Sequence, residues 1–138
     1  MNDKNIIYYL NLALSEAAKA KNLGEVPVGA VVVNYDKTII SKAHNLTETE
    51  TNPIAHAEII AIQNASKQNK DWRLDSFILI TTVEPCAMCL AAAKEARINR
   101  IYFGCEGNRV NKKDSIMLTN LNNLECKKII KQFFKNLK

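Results

Sequence analysis

The chain is poor in cysteine, histidine and long apolar runs, and each shortage excludes a class of protein. Four cysteines among 138 residues are too few for a disulfide scaffold. A chain of this length buries roughly two-thirds of the surface it would expose when unfolded, so it forms a core without such staples. No apolar run approaches the ~18 residues that span a bilayer, because even AVVV and FILI soon meet polar residues. No membrane partner is expected. The N-terminus MNDKNIIYYLNLAL lacks the basic, apolar, small-residue order of a signal peptide, which points to a reducing cytoplasmic setting. No repeat, low-complexity tract or composition shift marks a linker, so residues 1 to 138 read as one domain. The net charge of +5 is a weak sign of an anionic partner, since most of it is lysine spread along helical surfaces.

What is present is a clear alternation of periods. Ile6, Leu10, Ala13 or Leu14, and Ala17 recur at helical spacing over residues 4 to 22, and Gly24 can stop that helix. EVPVGAVVVN (25 to 34) and KTIISKAH (37 to 44) are β-branched runs separated by YD, which reads as a hairpin. The polar stretch 45 to 53 is a loop, and its proline introduces the helix AHAEIIAIQNASKQ. A buried strand over 76 to 83, the helix CAMCLAAAKEAR and a strand over 100 to 105 follow. EGNRVNKKDSIMLTNLNN reads as loop with a short helical turn, and LECKKIIKQFFKNLK as a closing amphipathic helix. This order predicts an α/β fold, a three-layer α/β/α sandwich with a mixed central sheet, antiparallel at its hairpin end, and a fifth strand that is short or missing. Sites in such sheets gather at the carboxyl ends of strands, where Cys86 falls.

VEPCAMC puts Cys86 and Cys89 on one face of a first helical turn, where the helix N-terminus favours thiolates. A shared metal or a disulfide fits that spacing. A redox pair usually accompanies a thioredoxin-like pattern and a structural zinc needs four protein ligands, and neither pattern is complete. Cys105 and Cys126 are singletons that read as buried structural thiols. The third ligand comes from AHAEI: His56 lies 30 residues before Cys86, with Glu58 two residues later. A lone histidine there would read as a cap or a satisfied core residue. In this company it completes the H-x-E and P-C-x-x-C signature of zinc deaminases. Two thiolates and a neutral imidazole leave a fourth position on Zn²⁺ for water, and a carboxylate beside it can take the water's proton and pass it to a ring nitrogen and an exocyclic amine. Glu58 fits that role.

From Glu25 to Phe103 the chain resembles the bacterial tRNA adenosine deaminases, members of the cytidine/deoxycytidylate deaminase superfamily, through EVPVGAVVV, HN at 44 to 45, AHAEI, DWRL, TTVEPCAMC, ARINRIYFG and the later SIM. The resemblance implies a cytidine deaminase-like fold with a mixed five-stranded sheet. It implies His56, Cys86 and Cys89 as zinc ligands, Glu58 as proton shuttle, Asn45 as a substrate contact and the segment around Val28 as a wall of the base pocket. It further implies a homodimer acting on a tRNA anticodon loop, converting wobble adenosine to inosine. Read without the resemblance, Asn45 is a turn residue, and His44 reads as a loop histidine in either case.

The chain departs from that pattern after FGC. Relatives usually carry an Asp or Asn and a glycine-rich turn before S-x-M; here Gly107 takes the approximate place of the polar residue, and Asn111, Lys112, Lys113 and Asp114 that of the glycines. That loop normally approaches the RNA, and the C-terminal helix looks truncated. Lys112, Lys113 and the lysines of the last helix could supply phosphate contacts. Two other readings therefore stand beside the tRNA enzyme: a deaminase of a free base, nucleoside or nucleotide of guanine, cytosine or cytidine type, and a zinc-stabilised RNA-binding domain without turnover.

Overall fold

The computed structural model describes residues 3 to 107 and 116 to 137. Its elements run α1 (Asp3–Asn22), β1 (Gly29–Val33), β2 (Ile39–His44), α2 (Ala57–Asn69), β3 (Ile78–Val83), α3 (Ala87–Glu95), β4 (Arg100–Cys105), β5 (Met117–Asn120) and α4 (Leu124–Lys135). Helix α1 buries Ile6, Leu10, Ala13, Ala17 and Ala20 along one stripe. It ends where Gly24 turns left-handed at φ 79°, a conformation that costs glycine little.

The sheet order is β2-β1-β3-β4-β5, with β1 antiparallel to both β2 and β3, and β4 parallel to β3 and β5. Alternation along each strand builds two cores. Ala30, Val32, Leu79 and Ile101 face Ala57, Ala61, Ala65, Leu90 and Ala93 of α2 and α3. Val31, Val33, Ile78, Ile80 and Cys105 face Tyr9, Leu10 and Ala13 of α1 and Cys126 of α4. With helices on both faces, β1 is buried at every position, which is why it reads as an unbroken apolar run. The three-layer mixed sandwich is as expected.

One expectation resolves, to a short fifth strand, and two details differ from the sequence reading. The fifth strand exists, as four residues pairing Arg100 to Phe103 with Met117 to Asn120. It is an edge strand exposed at alternate positions, so MLTN carries little apolar signal. The hairpin strands are shorter than their β-branched runs: the turn occupies residues 34 to 38, where the Asn34 side-chain oxygen accepts from the Asp36 and Thr38 amides and Lys37 is left-handed at φ 74°. His44 is not in a loop. It ends β2, with Nδ1 2.9 Å from Oε1 of the buried Glu16. Asn111, Lys112, Lys113 and Asp114 lie outside the described residues.

Because β1 starts where β2 and β3 finish, one end of the strands gathers Val28 before β1, Asn45 after β2, Glu84 after β3 and Glu106 after β4. The N-termini of α2 and α3 open onto the same end.

Candidate metal centre

His56 and Cys86 hold equivalent places in the fold. Each is the N-cap residue of its helix, in extended conformation, and neither side chain caps its helix. Each leaves its side chain free to point away from the helix while its carbonyl accepts the first helical hydrogen bond, from Ile60 and Leu90 respectively. Cys89 follows in the first turn of α3 and is fully buried. The sequence placed all three in first turns, and two of them stand one residue outside.

His56 Nδ1 lies 3.7 Å from Cys86 Sγ and 3.5 Å from Cys89 Sγ. The three donor atoms fall within 4.8 Å of one another. A tetrahedral zinc with sulfur at about 2.3 Å and nitrogen at about 2.0 Å sets a sulfur and a nitrogen about 3.5 Å apart. Both sulfur–nitrogen distances match that geometry, and the donor set suits zinc. Burial, with the Glu58 carboxyl and Cys86 alongside, drives the Cys89 thiol well above its usual range, so a thiolate there calls for a cation to offset it. Burial also holds the His56 imidazole below its ordinary pKa, which keeps it neutral and able to donate a lone pair.

Glu58, the second residue of α2, is 4 % exposed. Burial pushes its carboxyl up to about 7, against the opposing pull of its own backbone amide and the Cys89 thiol. Its Oε1 has no hydrogen-bond partner among the described residues. It borders a cavity of about 460 Å³ that is also lined by His56, Cys86, Val28, Asn45 and Thr47. Asn45 is buried, its backbone N–H donates to the Val28 carbonyl, and its side-chain oxygen is likewise unpartnered among the described residues. An orphaned carboxylate oxygen and an orphaned amide oxygen thus share a cavity with two of the three metal donors, His56 and Cys86. Buried polar atoms are seldom left so unless a ligand completes them.

Sequence reasoning missed part of this wall. Thr47 and Val26 line it, as do Ile130 and Phe134 from α4. The α4 pair sits four residues apart on a visibly amphipathic helix, a spacing that signals a shared face but not what that face meets. Gly107 closes the rim, its amide donating to Glu84 Oε1 at 3.2 Å. A side chain there would meet the Glu84 carbonyl at 2.9 Å, so the place taken by a polar residue in similar chains admits only glycine here. Cys105 and Cys126 are buried away from the cluster.

Comparison with known proteins places these features in context. Residues 3 to 105 match the model of the cytidine and deoxycytidylate deaminase zinc-binding region. The tRNA-specific adenosine deaminase of Bacillus subtilis is 44 % identical over 110 residues, 75 % of this chain and 68 % of that protein. The Haemophilus influenzae protein of the same name is 45 % identical over 69 % of this chain, which spans only 55 % of it. That of Buchnera aphidicola is 35 % identical over 94 % of this chain and 93 % of its own length. A solved structure from work on A-to-I editing by tRNA:A34 deaminases superimposes with a TM-score of 0.82 at 32 % identity, over 89 % of this chain and 99 % of that one. A guanine deaminase from Bacillus subtilis gives 0.69 at 38 % identity, over 77 % of this chain and 66 % of that one.

Proposed function

The chain belongs to the cytidine and deoxycytidylate deaminase family of zinc-binding enzymes, and from that premise we propose that it is a single deaminase domain that hydrolyses adenosine at the wobble position of a tRNA anticodon to inosine, releasing ammonia. His56 Nδ1 and the sulfurs of Cys86 and Cys89 hold the metal. Glu58 is the acid and base, and Asn45 and Val28 meet the base. The observation that carries this reading is the buried, unpartnered Glu58 oxygen in the same cavity as two of the three clustered donors, His56 and Cys86.

Zinc bound by this donor set supplies a Lewis acid that brings the pKa of a coordinated water toward neutrality. The proton work falls to Glu58. It accepts one proton from the attacking water and gives it to the adjacent ring nitrogen, then takes the remaining proton from the hydroxyl added to carbon and gives it to the exocyclic amine. A bond from carbon to oxygen forms, the bond from carbon to the amine nitrogen breaks, and ammonia leaves. A carboxyl near pKa 7 is matched to both directions of that transfer at neutral pH. Asn45 both donates and accepts hydrogen bonds and so can orient the base, while Val26 and Val28 supply an apolar wall.

The names of the Bacillus, Haemophilus and Buchnera relatives support an RNA substrate, and a cytoplasmic homodimer goes with that reading. The likeness to a guanine deaminase supports a second one, a free purine in the same cavity. The deciding experiment incubates zinc-loaded protein with an anticodon stem-loop bearing wobble adenosine and, separately, with adenosine, cytidine, cytosine, adenine and guanine, and follows the mass gain of ~1 Da that replaces an amine by oxygen. Conversion of the stem-loop at rates far above free adenosine is expected. Rapid turnover of guanine or cytosine with the stem-loop unchanged overturns the RNA assignment, and ammonia from none of them overturns the enzyme assignment.

A further inference from the structure

Glu25 is fully buried and touches neither the metal donors nor the cavity. Its Oε1 accepts from Thr47 Oγ1 at 3.4 Å and from the Glu48 amide at 3.0 Å, and its Oε2 accepts from the Thr49 amide and Thr49 Oγ1, both at 2.6 Å. Among the described residues no cation pairs with it. A carboxylate buried without a counter-charge is a costly brace, and four donors from three consecutive residues fix both its place and its orientation.

What the brace joins gives it meaning. Glu25 adjoins Val26 and stands three residues before Val28, and residues 47 to 49 begin two residues after Asn45. All three named residues line the cavity, as does Thr47 itself. Between these two segments the backbone makes a further tie, from the Asn45 amide to the Val28 carbonyl at 3.1 Å. The loop that carries residues 47 to 49 is closed by a bond from the Leu46 amide to the Ala55 carbonyl, next to His56. The two faces of the base pocket are thus pinned to each other at Asn45 and, a few residues on, at Glu25.

We propose that Glu25 is a positioning residue for substrate binding: its carboxylate gathers residues 47 to 49 against the segment 26 to 28 and so sets where Asn45 and Thr47 stand in the cavity. The inference rests on the proposal that this cavity receives the base. It assigns Glu25 no contact with substrate and no part in proton transfer. Removing it loosens the grip on the base without touching metal or acid, so KM rises while kcat holds.

The test measures KM, kcat and zinc content for wild type, Glu25→Gln, Thr49→Val, Thr49→Ser, Asn45→Ala and the Glu25→Gln, Asn45→Ala double variant. The substrate is the one wild type turns over, whether stem-loop or free base, so failure of the RNA reading is scored separately on wild type alone. Glu25→Gln and Thr49→Val are each expected to raise KM roughly 10-fold, the scale of one lost hydrogen bond. The same variants should keep kcat within about 2-fold and zinc at wild-type content. Thr49→Ser, which keeps the hydroxyl, should restore the wild-type KM. In the Asn45→Ala background Glu25→Gln should add little, because the residue it positions is gone. A melting temperature that falls with KM unmoved reduces Glu25 to a structural residue and overturns the proposal, as do independent, multiplying losses in the double variant. If Glu25→Gln fails to fold, the pair Thr49→Val and Thr49→Ser decides.

Discussion

Cys126 occupies the space that a side chain at Gly104 would need: a Cβ on Gly104 would collide with the Cys126 sulfur and lie 2.7 Å from the Thr82 carbonyl oxygen. This contact seats α4 on β4, helped by a 2.6 Å bond from the Asn123 amide to the Gly104 carbonyl. One collision partner is backbone and cannot step aside. Gly104→Ala should therefore destabilise the protein by about 1–3 kcal/mol, read as a lower melting temperature at unchanged zinc content. Cys126→Ala in the same chain should rescue it only in part, since the carbonyl remains.

Metal binding should follow the donor geometry. Cys86→Ser and Cys89→Ser are expected to lower zinc content below one per chain and to reduce stability, and chelation of wild type should do the same. Cys105→Ser and Cys126→Ser should leave zinc in place. Full zinc occupancy in the Cys86→Ser, Cys89→Ser double variant, measured by elemental analysis, would sink the assignment.

Glu58→Gln separates holding the metal from doing the chemistry. The variant should keep zinc and fold while turnover falls by at least ~100-fold. It removes a buried carboxyl whose ionisation burial opposes, so no loss of stability is expected at neutral pH. Loss of zinc instead would make Glu58 a ligand, and near-normal turnover would reject its role.

Acid stability should report on Glu25. Burial raises its carboxyl, but the hydrogen bonds from Thr49, Glu48 and Thr47 together outweigh that, and its folded pKa lies below the ordinary 4.5. The unfolded chain then binds the proton more readily than the folded one. The stabilisation is complete above the ordinary value and is lost as pH falls through the lowered one. Glu16 adds to the same slope: burial raises its carboxyl, and Lys19 and His44 hold it down on balance. In denaturant titrations at stepped pH, Glu25→Gln should begin less stable at neutrality and decline less steeply below about pH 4.5. Parallel acid limbs for the two proteins would contradict the carboxylate's role.

RNA binding, if it is the substrate interaction, should weaken steeply with salt, because phosphate contacts release counterions. Lys112→Ala with Lys113→Ala should lower stem-loop affinity and flatten that salt dependence, leaving zinc content unchanged. Equal salt slopes for the variant and wild type would show that these lysines do not meet phosphate.

The sequence was most legible where one physical cause acts alone. Helical spacing marked α1 and α2, and burial on both faces marked β1 and β3 as apolar runs. His56, Cys86 and Cys89 stood out because a metal site needs rare residue types at fixed places. It was least legible where a feature depends on a distant neighbour. Met117 to Asn120 become a strand only because β4 offers an open edge. His44 was passed over because Glu16, 28 residues away, defines its surroundings. Glu25 begins a conspicuous motif, yet nothing local shows that residues 47 to 49 will enclose its carboxylate.

The His56 and Cys86 pairing also has a meaning for the chain as a polymer. Two helix caps 30 residues apart in sequence are brought to one point, enclosing α2 and β3 in a loop that a bound ion would close. Tying off a loop of that length removes freedom from the unfolded chain, worth about 3–4 kcal/mol if it behaves as a covalent cross-link does. The centre that performs the chemistry would then also serve as this cysteine-poor chain's substitute for a disulfide, in a form that a reducing environment does not cut.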